Sequence, residues 1–215
     1  MYTIDVENNR YDVIKTGDLY WTVENLKTTK YNDGTDIKLI ADNEEWDDAG
    51  KNNIPANCYY DNDIDNKNKY GALYNFHAVG TGLLAPEGWR VPTDDDWTRL
   101  EKYLINNGYN WDASKSGNKI AKSMAANTDW KIVNYNGTIG NDLTKNNKSG
   151  FSALPGGYSS CNGFYNICYY GHWWSATEYS ASIAYNRYLG YNGKYLGRSI
   201  SVKGLGFSVR LVRDV

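Results

Sequence analysis

Between Thr93 and Gly108 lies the one strong helical pattern of this chain, and its isolation constrains the fold more than any other feature. Thr93 stands at the N-cap position, and Asp94, Asp95 and Asp96 place carboxylates in the first turn, where they complement the helix dipole. Trp97, Leu100 and Leu104 recur at three- and four-residue spacing on one face, and Gly108 ends the run. A weaker pattern over 118–126 puts Ile120 and Met124 inward. The remaining apolar residues come in short runs between Gly, Asn and Asp. At the start, YDVIKTGDLYWTVENL alternates about Gly17-Asp18 and reads as a hairpin. At the end, Phe207, Val209 and Leu211 alternate with Ser208 and Arg210 and read as a strand with one buried face. Residues 31–69, rich in Asn and Asp, read as an ordered meander of loops anchored by Trp46, Ile54, Tyr59 and Tyr60. Strands at both ends, two helices between them and long irregular connections define an α+β fold with high loop content. Loops this long in a compact domain usually carry function.

At 215 residues the chain can bury a substantial core. Its aromatic content is skewed, with 20 Tyr and 8 Trp against 4 Phe, towards rings that carry a polar atom and suit contact surfaces. The skew peaks at 157–179, GYSSCNGFYNICYYGHWWSATEY, where Glu178 is the only formal charge. Trp173, Trp174 and Phe207 are expected to fill the core. Tyr158, Tyr165, Tyr170, Tyr185, Tyr191, Tyr195 and Arg198 are expected to be displayed, with His172 and Asn186 beside them. Tyr gives a rigid apolar face and a hydroxyl at low entropic cost while Ser, Gly and Asn adapt around it, the mixture that antibody paratopes use.

Other function classes find less support. Residues 156–215 carry six basic against two acidic side chains, which favours an acidic partner modestly, but no Lys/Arg cluster resembles a nucleic-acid footprint. No apolar run is long enough for membrane insertion, and MYTIDVENNRY shows no secretion leader. Cys58, Cys161 and Cys168 have no zinc-finger spacing, and a Cys161–Cys168 bridge is left open. His77 reads as a satisfied interior or edge residue, and GxSxG and HExxH are absent. Asp61, Asp63 and Asp65 have the alternate spacing of a calcium loop but lack its Gly and distant Glu, so a solvated loop is expected there. No metal, cofactor or catalytic residue is expected.

Four stretches, YWTVENLKTTKYNDGTDI, APEGWRVPTDDDWTRLE (85–101), GFSALPGGY (150–158) and WWSATEYS…GFSVRLVRD (173–214), closely resemble the Fibrobacter succinogenes major paralogous domain of gut Bacteroidetes. The resemblance runs from about residue 4 to 214, which makes residues 1–215 one domain. WRVPTDDDW and GFSVRLVRD are also similar to elements of the formylglycine-generating-enzyme group. That likeness implies a C-type lectin-like fold: paired terminal strands, two helices, a small antiparallel sheet and a long loop region presenting a surface. The catalytic cysteine motif of that group has no counterpart here. Members of the paralogous family often carry Cys where this chain has Ala85 and Leu211, which implies folding without that staple. Some domains of this fold are variable proteins of diversity-generating retroelements, and residues 158–203 are rich in the alphabet such diversification produces.

The resemblance and the residues together point to a non-enzymatic binding protein, outside the cell or on its surface. It would present the C-terminal third to a protein or glycan. The alternatives are an enzyme related to the formylglycine-generating group or acting on polysaccharide, and a structural adhesin module. A glycosidase would need a second carboxylate opposite Glu178.

Overall fold

The computed structural model describes residues 1–215. In chain order the elements are β1 (Tyr2–Ile4), β2 (Arg10–Thr16), β3 (Leu19–Thr22), β4 (Lys38–Leu39), α1 (Asn43–Lys51), β5 (Ala56–Cys58), α2 (Ile64–Tyr70), β6 (Leu73–Tyr74), α3 (Phe76–Gly80), α4 (Asp94–Asn106), α5 (Ala121–Met124), β7 (Gly156–Ser160), β8 (Gly163–Ile167), β9 (Tyr170–Glu178), β10 (Ile183–Gly190), β11 (Gly197–Val202) and β12 (Val212–Asp214). The fold is α+β. Instead of one small sheet there are three, ordered β1-β2-β3-β12, β4-β5-β6 and β11-β10-β9-β7-β8.

The hairpin at Gly17-Asp18 forms with Thr16 opposite Leu19, and the chain ends meet where Val212 pairs with Trp21. The α4 helix begins as its sequence dictates. The Thr93 hydroxyl accepts from the Asp96 N–H while the Asp96 carboxylate accepts from the Thr93 N–H, a complete capping box. Trp97, Leu100 and Leu104 are buried in an apolar cluster with Trp21, Phe151 and Trp173.

Three expectations need correction. The region 31–69 is not loop throughout. Asp42 caps α1, whose Trp46 and Ala49 are buried, and Asp63 caps α2. The 118–126 pattern yields one turn, α5, because Lys122 turns inward and Ala125 leaves the helical region to bridge Ala153. The segment 207–211 has both faces buried, not one. Ser208 and Arg210 are as inaccessible as Phe207 and Val209, because this strap threads through the middle of the molecule.

Arg210 shows how that is tolerated. Its Nε donates to Asn25 Oδ1 at 2.7 Å, Nη1 to the carbonyls of Thr22 (2.8 Å), Val23 and Phe151 (3.1 Å), and Nη2 to Ser152 O at 3.2 Å. Burial pulls its pKa down to about 9, with Glu24 opposing. The same Asn25 oxygen accepts from Trp173 Nε1 at 2.8 Å. One guanidinium therefore ties the first hairpin, the 150–158 motif and the C-terminal strap together.

Ala85 and Leu211 lie buried in one apolar cluster. All three cysteines are free, so Cys161 and Cys168 are not bridged. No helix is long and apolar enough to cross a membrane.

Candidate functional site

The two tryptophans of the WW pair are scaffold, as expected, and consecutive position explains their division of labour. Successive side chains of a strand point to opposite faces. Trp173 therefore enters the cluster against α4, while Trp174 enters the cluster with Phe76 and Phe207 and donates its Nε1 to Tyr74 O at 2.8 Å. The same parity sorts the rest of the five-stranded sheet. On β10, Asn186 and Tyr188 share the Trp174 face with Tyr170 and His172 of β9. Tyr185, Arg187 and Leu189 face the other way.

The Trp174 side of the sheet carries a groove of about 580 Å³. Tyr158, Tyr170, His172, Asn186 and Tyr195, all expected at a surface, line it together. Tyr188, Ser160, Ser199, Ser201 and Phe207 complete it, and none of its fifteen lining residues carries a fixed charge. Tyr165 reaches the rim, its ring stacked on Tyr158 with centroids 5.5 Å apart.

Tyr185, Tyr191 and Arg198, also expected at the surface, do not join the groove. Arg198 lies on the opposite face, bound to Asp94 at 2.9 Å, with its guanidinium 4.1 Å from the Tyr185 ring. Tyr191 packs edge-on to Tyr169 and against the α4 cluster. Asn186 does line the groove but is buried, not displayed, and its Nδ2 donates to Ser201 Oγ at 2.9 Å. The missed residue of most consequence is Tyr188. Two-residue alternation from Asn186 would have found it, where a cluster of sequence neighbours did not.

Two glycines set the posture of the tyrosines. A Cβ on Gly190 would lie 2.7 Å from the Tyr170 ring, and one on Gly197 would lie 2.3 Å from the Tyr188 ring. Each ring therefore lies over a glycine on the neighbouring strand, flat to the sheet, with little freedom left to lose on binding. Tyr188 and Tyr195 bring their hydroxyls to 3.4 Å.

His172 is the floor. Its ring stacks on Phe207 at 4.9 Å and 18°, lies 5.9 Å from both Tyr170 and Tyr188, and meets the edge of Tyr158. Nδ1 is buried without a hydrogen-bond partner, and burial pushes the pKa down to about 4. The imidazole is neutral in the folded protein, whereas the unfolded chain takes up a proton below roughly pH 6.5. Stability from this residue is therefore complete above that pH and falls as the pH drops from 6.5 towards 4, by up to about 1.4 kcal/mol per unit. His172→Phe should gain on the wild type across this window, measured as the difference in urea unfolding free energy at pH 7.5, 6 and 5. A difference independent of pH would show that the ring is already solvated.

The neighbouring charges are spent on structure. Asp94, expected only to serve the helix dipole, accepts from the buried Arg187 guanidinium as well as from Arg198. Glu178 faces Lys203 Nζ at 2.6 Å, not a second carboxylate. With Arg187, Lys203 and Arg210 all buried, half of the basic side chains counted in 156–215 are internal, which removes the basis for an acidic partner. His77 Nε2 donates to Gly50 O, 3.2 Å away, as a half-buried structural residue. Asp63 is used as a helix cap, and no three His, Cys, Asp or Glu side chains are grouped to hold a metal ion.

Fold and site thus define an α+β domain with a neutral, tyrosine-lined sheet groove. The chain belongs to the Fibrobacter succinogenes major domain family, whose model matches residues 14–213. No curated protein and no solved structure matches it.

Proposed function

We propose that this chain is a non-enzymatic binding domain with a C-type lectin-like fold, and that the groove is where it holds an uncharged stretch of a protein or glycan. The observation that carries this is the lining: rings fixed over glycines, interleaved with hydroxyls and amides, and no fixed charge. Such a surface offers stacking and hydrogen bonds but neither the carboxylate pair of a glycosidase nor a thiol. The paired terminal strands support the lectin-like reading. Display outside the cell, and diversification by a retroelement, belong to the same proposal. Apart from Leu205 and Phe207 the lining consists of Tyr, Ser, Asn, His and Gly, the alphabet such diversification yields. A reverse transcriptase beside the gene, with a near-copy of its 3′ end, would be the genomic sign.

The test is the double variant Tyr170→Ala/Tyr188→Ala on peptide and glycan arrays. Loss of two central aromatic anchors should weaken capture at least about 30-fold. Both rings are only partly buried, so Tm should move by only a few degrees. Undiminished capture would remove the groove from consideration, and loss of the folding transition would make the rings structural.

A further inference from the structure

The groove ends at β11, the outer strand of its sheet. The phase of the ladder there follows from two flanking bonds. Lys203 N–H donates to Ser182 O, while Ile183 turns its N–H to Ser180 and its carbonyl to Tyr179 and Ser180, away from β11. With Ile183 opposite Val202 and Asn186 opposite Ser199, alternation makes Ser199 and Ser201 the residues bonded to β10. Arg198, Ile200 and Val202 therefore aim their backbone groups outward. Val202 O is taken by Leu205 N–H, and Ile200 O is reached only by the Ser199 hydroxyl at 3.5 Å. The N–H groups of all three and the carbonyls of Arg198 and Ile200 remain for a partner.

Natural edges are usually blunted by Lys, Pro, a bulge or a covering segment. GRSISV has none of these. Its single charge, Arg198, is held by Asp94, and Ile200 and Val202 are 42% and 55% exposed. We propose that β11 accepts an extended peptide segment by strand addition, with uncharged side chains at the alternate positions that turn into the groove. This rests on the reading of the groove as the ligand site and names its ligand class. A strand laid on β11 would put every second side chain beside Ser199 and Ser201, towards Tyr195 and Asn186. The side chains between them would meet Ile200 and Val202. A charged residue at a groove position would lose its hydration against a wall that offers no counter-charge. A glycan would use the groove but leave the ladder unfilled.

The test uses the whole chain and phage-displayed heptapeptides lacking charged residues. In the free protein the amides of Arg198, Ile200 and Val202 should exchange quickly and those of Ser199 and Ser201 slowly. A selected peptide should slow exchange at Ile200 and Val202 at least tenfold. N-methylating that peptide one residue at a time should weaken binding at least tenfold at alternate positions only. Ile200→Pro, which removes an outward donor and no bond to β10, should weaken binding equally while Ser199 and Ser201 stay protected. The N-methyl scan keeps the question open to refutation if that variant does not fold. Peptide capture without edge protection or without the alternating pattern would overturn strand addition. Capture only of neutral glycans, sensitive to Tyr170→Ala/Tyr188→Ala but leaving the edge amides fast, would overturn it and leave the groove reading standing. Capture of neither would overturn both.

Discussion

Arg210→Met is expected to destabilise the protein by roughly 3–5 kcal/mol, the cost of leaving several buried acceptors without a donor. The five oxygens that Arg210 serves belong to Thr22, Val23, Asn25, Phe151 and Ser152, and of these the Asn25 oxygen alone also accepts from a second side chain, Trp173 Nε1. Methionine fills the volume of the stem but satisfies none of them. Arg210→Lys keeps the charge with a single nitrogen, so it should recover only part of the loss. Urea unfolding measures both. A Met variant within 1 kcal/mol of the wild type would mean that water reaches these carbonyls and that the strap is not held by this guanidinium.

Gly157→Ala should be nearly as damaging, and it explains the last glycine of GFSALPGGY. Gly157 has φ +65°, and a Cβ there would lie 2.4 Å from Tyr165 O, 2.7 Å from the Tyr60 ring and 2.8 Å from Ile167 N. Left-handed backbone costs an alanine about 1–2 kcal/mol, and the overlap with β8 backbone adds roughly 1–3 kcal/mol more. The clash cannot be relieved by a side-chain rotation, because β8 is registered on β7 through Gly156 opposite Ile167 and Tyr158 opposite Tyr165. Tm should fall by about 10 °C, on the scale of 2–4 °C per kcal/mol for a chain of this size. Gly82→Ala is the control, since Gly82 has φ +72° but nothing within 4 Å, and it should show the backbone strain alone. Equal losses in the two variants would refute the packing argument.

How much of this was legible beforehand depends on how local the cause is. The α4 helix and the 16–19 hairpin were readable because their signals, a capping box and a two-residue turn, act within a few residues. The α1 helix carried a similar signal, Asp42 before Trp46 and Ala49, but the surrounding Asn and Asp masked it. Lys122 could not be read as buried. Its ammonium is enclosed by Thr138 O, Asn141 O, Asp142 O and Asn146 Oδ1, all supplied from at least sixteen residues away. Among the tyrosines, composition separated display from core only coarsely. Tyr185 and Tyr188 are equally polar and aromatic, and strand parity alone sends one to Arg198 and the other into the groove.

Local signals along the chain suffice for the α+β class, the capped helix, the buried roles of Trp173, Trp174 and Phe207, and a Tyr-, Ser- and Asn-rich C-terminal third with few charges. These follow from local backbone preference and from which side chains leave water most readily. Which rings share a face, that Gly190 and Gly197 lay two of them flat, and that β11 is an uncovered edge emerge from the folded arrangement alone. Those outcomes depend on which strands become neighbours, and that is set by contacts between residues far apart in the chain.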